Sequence, residues 1–264
     1  MDQNNTVNPP GSISPACIDE QGRLSGFVHS FEMGSAVDGP GMRFVVFVSG
    51  CQFRCLYCHN PDTIKMHNGT LMTVDRVIEE MAEFASFLRF AGGLTISGGE
   101  PLMQADFIRE VFYLAKHDYS LHTALDTQGF LAAHLDDDYF DDIDLVLLDI
   151  KHIDAAKYMA LTSKPLQPTL DFARRLSAMG KKMRIRYVLV PGYTDDVEDV
   201  EKLAEFISTL NGVERVEVLP FHKMGEQKWQ ELGFKYHLKD VQTPTTELLK
   251  RVIDQFRSHG LTAC

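Results

Sequence analysis

Short runs of apolar and β-branched residues alternate along the chain with helix-like segments. The strand-like runs cover residues 43–49, 94–97, 121–127, 144–150, 184–190 and 215–221. The helix-like segments cover residues 73–90, 104–118, 166–179 and 195–210. Six buried strands that alternate with helices predict parallel βα units of an α/β fold, arranged as a doubly wound sheet or as a complete or partial barrel. In each arrangement, functional residues are expected at the carboxyl ends of the strands.

The first residues differ from the rest of the chain because they are polar, rich in Asn, Pro and Ser, and without apolar periodicity. We therefore predict a flexible extension over residues 1–23 and a single domain over residues 24–264. A chain of 264 residues with 44% hydrophobic content is long enough to bury a sizeable core.

Composition and charge exclude several classes of function. No stretch approaches the roughly 20 apolar residues that span a bilayer, so no membrane partner is expected. The amino terminus lacks the basic and apolar regions of a secretory signal, so the cytoplasm is the expected location. The formal net charge of −11 argues against a general nucleic-acid binder.

Three of the five cysteines lie in eight residues directly after the first strand-like run. Cys51, Cys55 and Cys58 have the spacing C-x3-C-x2-C, which differs from zinc ribbons and from bacterial ferredoxins. In a reducing cytosol, such a group is expected to hold a metal or to perform redox chemistry. Three thiolates leave one position unassigned, both for a zinc ion with four protein ligands and for a cluster of four irons.

A zinc site is one alternative, with His59 as the fourth ligand of a Cys3His set. It is disfavoured because His59 directly follows Cys58, which leaves little chain between two ligands of one tetrahedral ion. Such a zinc-binding interaction module would not be an enzyme.

The cysteine spacing is the signature of the radical S-adenosylmethionine superfamily, and the chain resembles its glycyl-radical-enzyme activases over nearly all of the domain, from Gly26 onward. The resemblance rests on "SAVDGPGMRFVVFVSGCQFRCLYCHNPDT", "DTQGF", "LLDIKH", "RYVLVPGYTDD" and "VLPFHKMGEQKW". Activases of glycerol or benzylsuccinate-type enzymes carry a ferredoxin-like insert after the first motif. Here Asn60 runs straight on through Thr70 into a helix, which favours the branch that acts on pyruvate formate-lyase.

The resemblance implies a partial (β/α)6 TIM-like barrel and one 4Fe-4S cluster on the three cysteines. It also implies that S-adenosylmethionine binds the open iron and is reductively cleaved, so that a 5'-deoxyadenosyl radical creates a glycyl radical in a loop of pyruvate formate-lyase under anaerobic conditions. An external donor, flavodoxin or ferredoxin, would supply the electron, and a monomer is expected. The alternatives are an activase of another glycyl-radical enzyme and a radical enzyme acting on a small molecule.

Residues at other strand ends form the expected cofactor pocket. Gly98 and Gly99 lack a Cβ and let backbone approach a ligand, while Glu100 can face an ammonium group. By resemblance the pocket also includes Tyr57, Cys58, His59, Asp149, Ile150, Lys151 and His222. Arg186 joins this set if the register of its strand turns it inward. Without the resemblance, residues 97–101 could be a plain strand-to-helix turn, Lys151 could lie on the surface and His222 could be a structural histidine.

Residues 38–41, "DGPG", precede the first parallel strand. Their composition suits a tight turn. In the family this loop holds the backbone of the protein substrate, so the resemblance assigns substrate binding to Asp38, Gly39, Pro40 and Gly41.

A second ion is expected where two further strands end. If these strands are parallel neighbours, Asp126 and Asp149 meet beside the cofactor, and such carboxylates need a proton or a cation between them. Oxygen ligands suit a hard ion. By resemblance the ion is Na⁺ or K⁺, held by Asp126, Thr127, Leu147 and Asp149. The alternative is that Asp126 caps a helix and Asp149 bonds backbone.

Overall fold

A computed structural model describes residues 17–264, which build one mixed sheet with helices packed against it. The strands are β1 (Cys17–Ile18), β2 (Leu24–Ser35), β3 (Met42–Val48), β4 (Thr70–Thr73), β5 (Gly92–Gly98), β6 (Thr123–Thr127), β7 (Leu145–Asp149), β8 (Met183–Leu189) and β9 (Val213–Pro220). The helices are α1 (Val74–Ala82), α2 (Ala85–Ala91), α3 (Ala105–His117), α4 (Ala155–Thr162), α5 (Gln167–Ala178), α6 (Val197–Ser208), α7 (Glu226–Glu231) and α8 (Thr246–Ser258).

The sheet confirms the predicted parallel βα units. Strands β3, β5, β6, β7, β8 and β9 are parallel and adjacent in chain order. A doubly wound sheet would reverse its strand order at one point. The consecutive order found here is that of an open, partial barrel, with β2 added antiparallel to β3 and with β1 and β4 paired to β2.

The two faces of the sheet have different characters. On β3, Phe44 and Val46 belong to the main apolar core, which continues into the helices. Arg43, two residues from Val45 on the same strand, points to the concave face and donates through Nε to Thr95 Oγ1 at 2.9 Å. The concave face is therefore partly polar. In barrel enzymes the chemistry takes place at the carboxyl ends of the strands, at one end of this face.

Several elements depart from the sequence prediction. The predicted helix 73–90 is two helices, α1 and α2, because the chain turns at Glu83 and Phe84. Helices α4, α7 and α8 have no counterpart among the predicted helix-like segments. Cys17 and Ile18 of β1 pair with Ser25 and Leu24 of β2, and residues 19–23 form the turn between them. The end of the predicted extension is therefore folded, while residues 1–16 lie outside the described part of the chain.

Across residues 17–264, none of the helices combines the length and the apolar character that crossing a bilayer requires.

Candidate active site at the carboxyl ends of the strands

The three cysteines lie on the segment of residues 50–60, here called the cluster loop, directly after β3. Neighbouring backbone holds this loop on both sides. The amide of Cys51 donates to the carbonyl of Ile64 at 3.0 Å, and the amide of Arg54 donates to the carbonyl of Thr162, at the end of α4, at 2.9 Å. The loop is thus fixed at the catalytic end of the sheet, as the sequence predicted from its position after a strand.

The loop also has an apolar anchor. The buried ring of Phe53 packs edge-on against Phe130, with centroids 5.6 Å apart, and against Tyr158, at 6.2 Å. Because one side chain between two of the cysteines is fixed in the core, the loop has little freedom to reorient.

Burial raises the pKa of each thiol in the loop. The pKa of Cys55 rises to about 12, first through burial, with the ammonium of Lys151 opposing the shift. Burial likewise raises the pKa of Cys51, with the charge of Cys55 adding to it, and raises that of Cys58. Thiolates at such positions need positive charge nearby, which the irons of a cluster would supply. The donor set, three sulfurs on a rigid loop, fits a 4Fe-4S cluster with one open iron.

His59 packs against a second histidine. Its ring stacks on the ring of His222, with centroids 4.0 Å apart, and its Nε2 lies 3.2 Å from the carbonyl oxygen of His222. Burial, with a smaller effect of His222, lowers the pKa of His59 to about 4. In residues 17–264, no group of three or more His, Cys, Asp or Glu side chains is placed to hold a single metal ion. The histidine pair therefore disfavours the Cys3His zinc alternative.

Two largely buried ion pairs lie near the ends of β6 and β7, one of them formed with Arg186 from the middle of β8. Arg186 Nη1 donates to Asp126 Oδ2 at 2.9 Å, and Lys151 Nζ donates to Asp149 Oδ2 at 2.6 Å. Ser97, at the end of β5, also donates to Asp126 Oδ2 at 2.6 Å. Arg186 thus faces inward, which settles the orientation that the sequence left open.

The charges of these two ion pairs shift one another's pKa values. Burial raises the pKa of Asp126, and the guanidinium of Arg186 opposes that shift. Burial alone would lower the pKa of Lys151, but the carboxylate of Asp149, together with Tyr57 and Cys55, outweighs burial and raises the pKa of Lys151. Removing either partner would leave a buried charge uncompensated, which is costly in a partly dry site.

Several buried polar atoms at this face lack a hydrogen-bond partner among residues 17–264: Tyr57 Oη, Asp126 Oδ1, Arg186 Nε and His222 Nδ1. Each such atom costs about 1–3 kcal/mol if it stays unsatisfied. All four belong to residues that the sequence assigned to the cofactor or cation site. Their grouping fits a bound ligand that carries both charged and hydroxyl groups.

Other predicted pocket residues lie close by. The Lys151 ammonium is 5.7 Å from the ring centre of Tyr57. Ile150 is fully buried, and its amide donates to the carbonyl of Arg186 at 3.2 Å. His222 follows the buried Phe221 at the end of β9. The structure therefore brings Tyr57, Ile150, Lys151, Arg186 and His222 to one edge of the sheet.

Gly98 and Gly99 are required by the packing of β5 against the cluster loop. A Cβ on Gly98 would lie 2.5 Å from the backbone of Val48, and Gly98 has a φ of 110°. A Cβ on Gly99 would overlap the carbonyl oxygen of Gly50. The glycines thus permit a close backbone approach, although the nearest backbone is that of the protein itself.

Glu100 is fully buried and accepts three hydrogen bonds from its own chain. Its donors are Thr127 Oγ1 at 2.6 Å, the Leu102 amide at 3.0 Å and the Gln128 amide at 3.1 Å. Burial raises its pKa to about 7. Glu100 therefore ties the ends of β5 and β6 together, and its contact with an ammonium group stays a prediction.

The four expected cation ligands share one region. Leu147 lies opposite Asp126 in the register of β6 and β7, and Asp149 ends β7. Thr127 Oγ1 donates to Glu100 and accepts from the Gly129 amide at 2.9 Å. Because Asp126 bonds Ser97 and Arg186 rather than a helix terminus, the helix-cap alternative is not what the structure contains.

The loop of residues 38–41 turns into the concave face. The Asp38 carbonyl accepts from Thr95 Oγ1 at 2.6 Å, and Asp38 Oδ2 accepts from Ser35 Oγ at 2.6 Å. Asp38 Oδ1 lies 3.7 Å from Arg186 Nη1. Gly39 and Gly41 both have positive φ, at 132° and 72°. The loop is thus a tight turn that also places a carboxylate beside the strand-end charges.

Pro40 lies between these two glycines. Its carbonyl oxygen is 3.4 Å from Arg43 Nη1, the buried guanidinium at the start of β3. Side chains of both β3 and β5 therefore bind backbone carbonyls of this turn.

Sequence reasoning missed the residues that hold the far end of the cluster loop. Trp229 Nε1, on α7, donates to the carbonyl of Cys58 at 2.8 Å, and Lys228 Nζ donates to Asn60 Oδ1 at 2.9 Å. A Cβ on Gly225 would lie 2.9 Å from the Cα of His59. The segment "KMGEQKW" contains these residues, but nothing in it indicates a contact with a loop more than 160 residues earlier.

Comparisons with known proteins agree with this geometry. The model of the radical SAM superfamily matches residues 45–207. A pyruvate formate-lyase-activating enzyme of Staphylococcus aureus is 45% identical over 235 residues, which cover 86% of this chain and 93% of the relative.

Solved structures of related proteins have a similar fold. A domain of a pyruvate-formate lyase-activating enzyme from Bacteroides vulgatus is similar with a TM-score of 0.54 and 25% identity, covering 66% of this chain and 98% of that one. Streptococcus suis SuiB bound to S-adenosylmethionine has a TM-score of 0.62 at 15% identity, covering 86% of this chain and 50% of that one. At that identity the second similarity concerns the fold alone.

The Trp229 contact generates a prediction about the cluster loop. Trp229→Phe removes one hydrogen bond to Cys58 and keeps most of the ring, so the loop should open more easily. A bond worth about 1 kcal/mol corresponds to a roughly fivefold faster loss of iron to a chelator from the reconstituted protein. Tyr236→Phe is the matched control, because Tyr236 packs in the same small apolar cluster as Trp229. Equal rates in both variants and the parent would contradict the role of the bond.

Proposed function

The chain belongs to the radical SAM superfamily and to the family of pyruvate formate-lyase-activating enzymes, and we propose that it installs a glycyl radical in pyruvate formate-lyase under anaerobic conditions. The observation that carries this proposal is the placement of the three-cysteine loop beside the buried charges and unpaired polar atoms at the strand ends. The similarity to the Staphylococcus aureus enzyme over 86% of the chain supports the same activity.

Cys51, Cys55 and Cys58 would hold one 4Fe-4S cluster and leave its fourth iron to the amino and carboxylate groups of S-adenosylmethionine. When bound, the reduced cluster supplies the electron that cleaves this cosubstrate into methionine and a 5'-deoxyadenosyl radical. The protein orients the cosubstrate: Lys151 and Arg186 would face its carboxylate, and backbone near Gly98 and Gly99 would face its ammonium group.

Tyr57, His59 and His222 would surround the adenosine end. The ring of His59 stacks on that of His222 and presents a flat, uncharged surface, because burial lowers the pKa of His59 to about 4. The unpaired Tyr57 Oη and His222 Nδ1 offer hydrogen bonds to a nucleoside. Such positioning holds the radical near its target and away from groups that would quench it.

The target is the Cα hydrogen of one glycine in a loop of the partner enzyme. That loop would enter along the concave face, where Asp38 meets Arg186. Flavodoxin or ferredoxin would deliver the electron, since Cys17 and Cys264 are the chain's only other cysteines. We expect a monomer that works in the cytoplasm.

The decisive experiment is to reduce the reconstituted protein anaerobically with S-adenosylmethionine and pyruvate formate-lyase, and to measure the glycyl radical by electron paramagnetic resonance. Cys51→Ala, Cys55→Ala and Cys58→Ala should each abolish the site-differentiated cluster and 5'-deoxyadenosine release. Cys17→Ala and Cys264→Ala are the matched controls and should retain both. A full iron complement in the Cys55 variant would reject the ligand assignment, and cosubstrate cleavage without a protein radical would indicate a different substrate.

The position of Asp38 predicts a specific effect on the protein substrate. Asp38→Ala should weaken the binding of a glycyl-loop peptide about tenfold, the size expected for one charge-assisted hydrogen bond, and change the affinity for S-adenosylmethionine less than about threefold. Isothermal titration against each ligand measures both. Ser35→Ala is the control, because it removes the hydroxyl that supports Asp38 but keeps the carboxylate. A collapse of cosubstrate affinity with peptide binding intact would reverse the assignment.

We also propose that Asp126, Thr127, Leu147 and Asp149 hold a Na⁺ or K⁺ ion. The support is Asp126 Oδ1, a buried carboxylate oxygen with no partner among residues 17–264, which lies beside a second buried carboxylate. Carboxylate, hydroxyl and carbonyl oxygens are a donor set for a hard cation. Arg186 and Lys151 already neutralise much of the negative charge, which suits a monovalent rather than a divalent ion.

Titration of sodium and potassium into cation-depleted protein tests this site. With ionic strength held constant by a bulky organic cation, the affinity for S-adenosylmethionine should rise as the small cation binds. The response should disappear in Asp126→Ala and in Asp149→Ala, and Asp62→Ala, a carboxylate outside the site, should keep it. Identical curves with and without small cations in the parent would exclude the ion.

A further inference from the structure

Three cations surround the cluster loop without a carboxylate partner. Arg54 is exposed and lies in the loop, where its Nη1 donates to the carbonyl of Cys51 at 2.8 Å. Lys65 is exposed and follows the loop, and the ammonium of Lys164 lies 5.7 Å from the ring centre of Phe130. None of the three forms an ion pair within residues 17–264. We call Arg54, Lys65 and Lys164 the basic rim.

Backbone contacts place the basic rim on both sides of the cysteines. Ile64, which receives the hydrogen bond from the Cys51 amide, directly precedes Lys65. Thr162, which receives the hydrogen bond from the Arg54 amide, is two residues from Lys164. The three cations therefore border the same partly exposed loop that carries the thiols.

The segment that carries Arg54 and Lys65 is positive on a negatively charged protein. The net charge of the chain is −11, yet Asp62 is the only acidic residue between positions 50 and 66. Asp62 is already paired with Lys228 at 2.9 Å and lies 3.1 Å from His29 Nε2. A positive patch on an acidic protein attracts acidic partners to that patch and repels them elsewhere.

We propose that the basic rim is the docking surface of an acidic one-electron carrier protein. This inference rests on the proposed function, which requires one electron for each cleavage. The carrier loses one electron and the cluster gains it, with no proton or atom transferred between the two proteins. Electron tunnelling slows steeply with distance, so the carrier must reach the surface nearest the thiols, and the basic rim borders that surface.

The position of the rim leaves the substrate side free. The substrate loop of residues 38–41 precedes β3, and the cluster loop follows it. The substrate loop turns into the concave face, where Asp38 Oδ1 lies 3.7 Å from Arg186 Nη1, whereas the side chains of Arg54 and Lys65 are exposed to solvent. The carrier and the glycine loop can therefore bind at the same time, and an electron can arrive after the substrate is in place.

Charge reversal on the rim tests the proposal. Lys65→Glu combined with Lys164→Glu leaves Arg54 in place, because Arg54 also supports the backbone of Cys51. The reconstituted enzyme with S-adenosylmethionine is reduced either by photoreduced flavodoxin, an acidic carrier, or by photoreduced 5-deazariboflavin, a small uncharged reductant, and 5'-deoxyadenosine is measured. With flavodoxin at low ionic strength, the second-order rate constant should fall at least about tenfold and its salt dependence should flatten. With 5-deazariboflavin the rate should not change.

The matched control changes the same total charge elsewhere. Lys182→Glu combined with Lys250→Glu alters two exposed lysines, at the amino-terminal end of β8 and on α8. This control should react with flavodoxin close to the parent rate. Equal slowing of both double variants, or a normal rate in the rim variant, would overturn the docking surface while leaving the proposed function intact. A parent protein that cleaves no cosubstrate even with 5-deazariboflavin would overturn the proposed function and this inference together.

Discussion

The site depends on one constraint: two largely buried carboxylates, Asp126 and Asp149, lie near the ends of neighbouring parallel strands, and their charges must be compensated there. Arg186 and Lys151 provide that compensation, and each also reaches a different part of the site. Lys151 lies over the ring of Tyr57 in the cluster loop, whereas Arg186 approaches Asp38 of the substrate loop. Because an uncompensated buried charge is costly, a change at any one of these residues affects the others.

Strand β3 connects the two functional loops. The substrate loop precedes β3 and the cluster loop follows it. The pairing of β3 with β5 therefore fixes where both loops lie relative to the end of β5. The glycines at the end of β5 allow the closest approach, since a Cβ there would overlap backbone of β3 or of the cluster loop. The concave face between the loops is consequently a short path from the expected cluster position to the expected glycine.

Three separate contacts hold the cluster loop in place. Phe53 anchors its centre in the main core, Trp229 holds the carbonyl of Cys58, and Arg54 is fixed to the end of α4. A cluster that must change redox state without releasing iron benefits from ligands that cannot reorganise. The same support leaves one exposed edge of the loop, which the basic rim borders.

The sequence by itself determined the parallel βα order, the three-cysteine loop and the family, because these depend on local periodicity and on spacing within short segments. It also placed Asp126, Asp149 and Lys151 at strand ends. Only the tertiary structure decided that Arg186 faces inward, that Glu100 ties β5 to β6, and that Trp229 and Lys228 hold the cluster loop. Those outcomes depend on strand register and on contacts between residues distant in the chain, and no local pattern encodes which distant groups will meet once the core has packed.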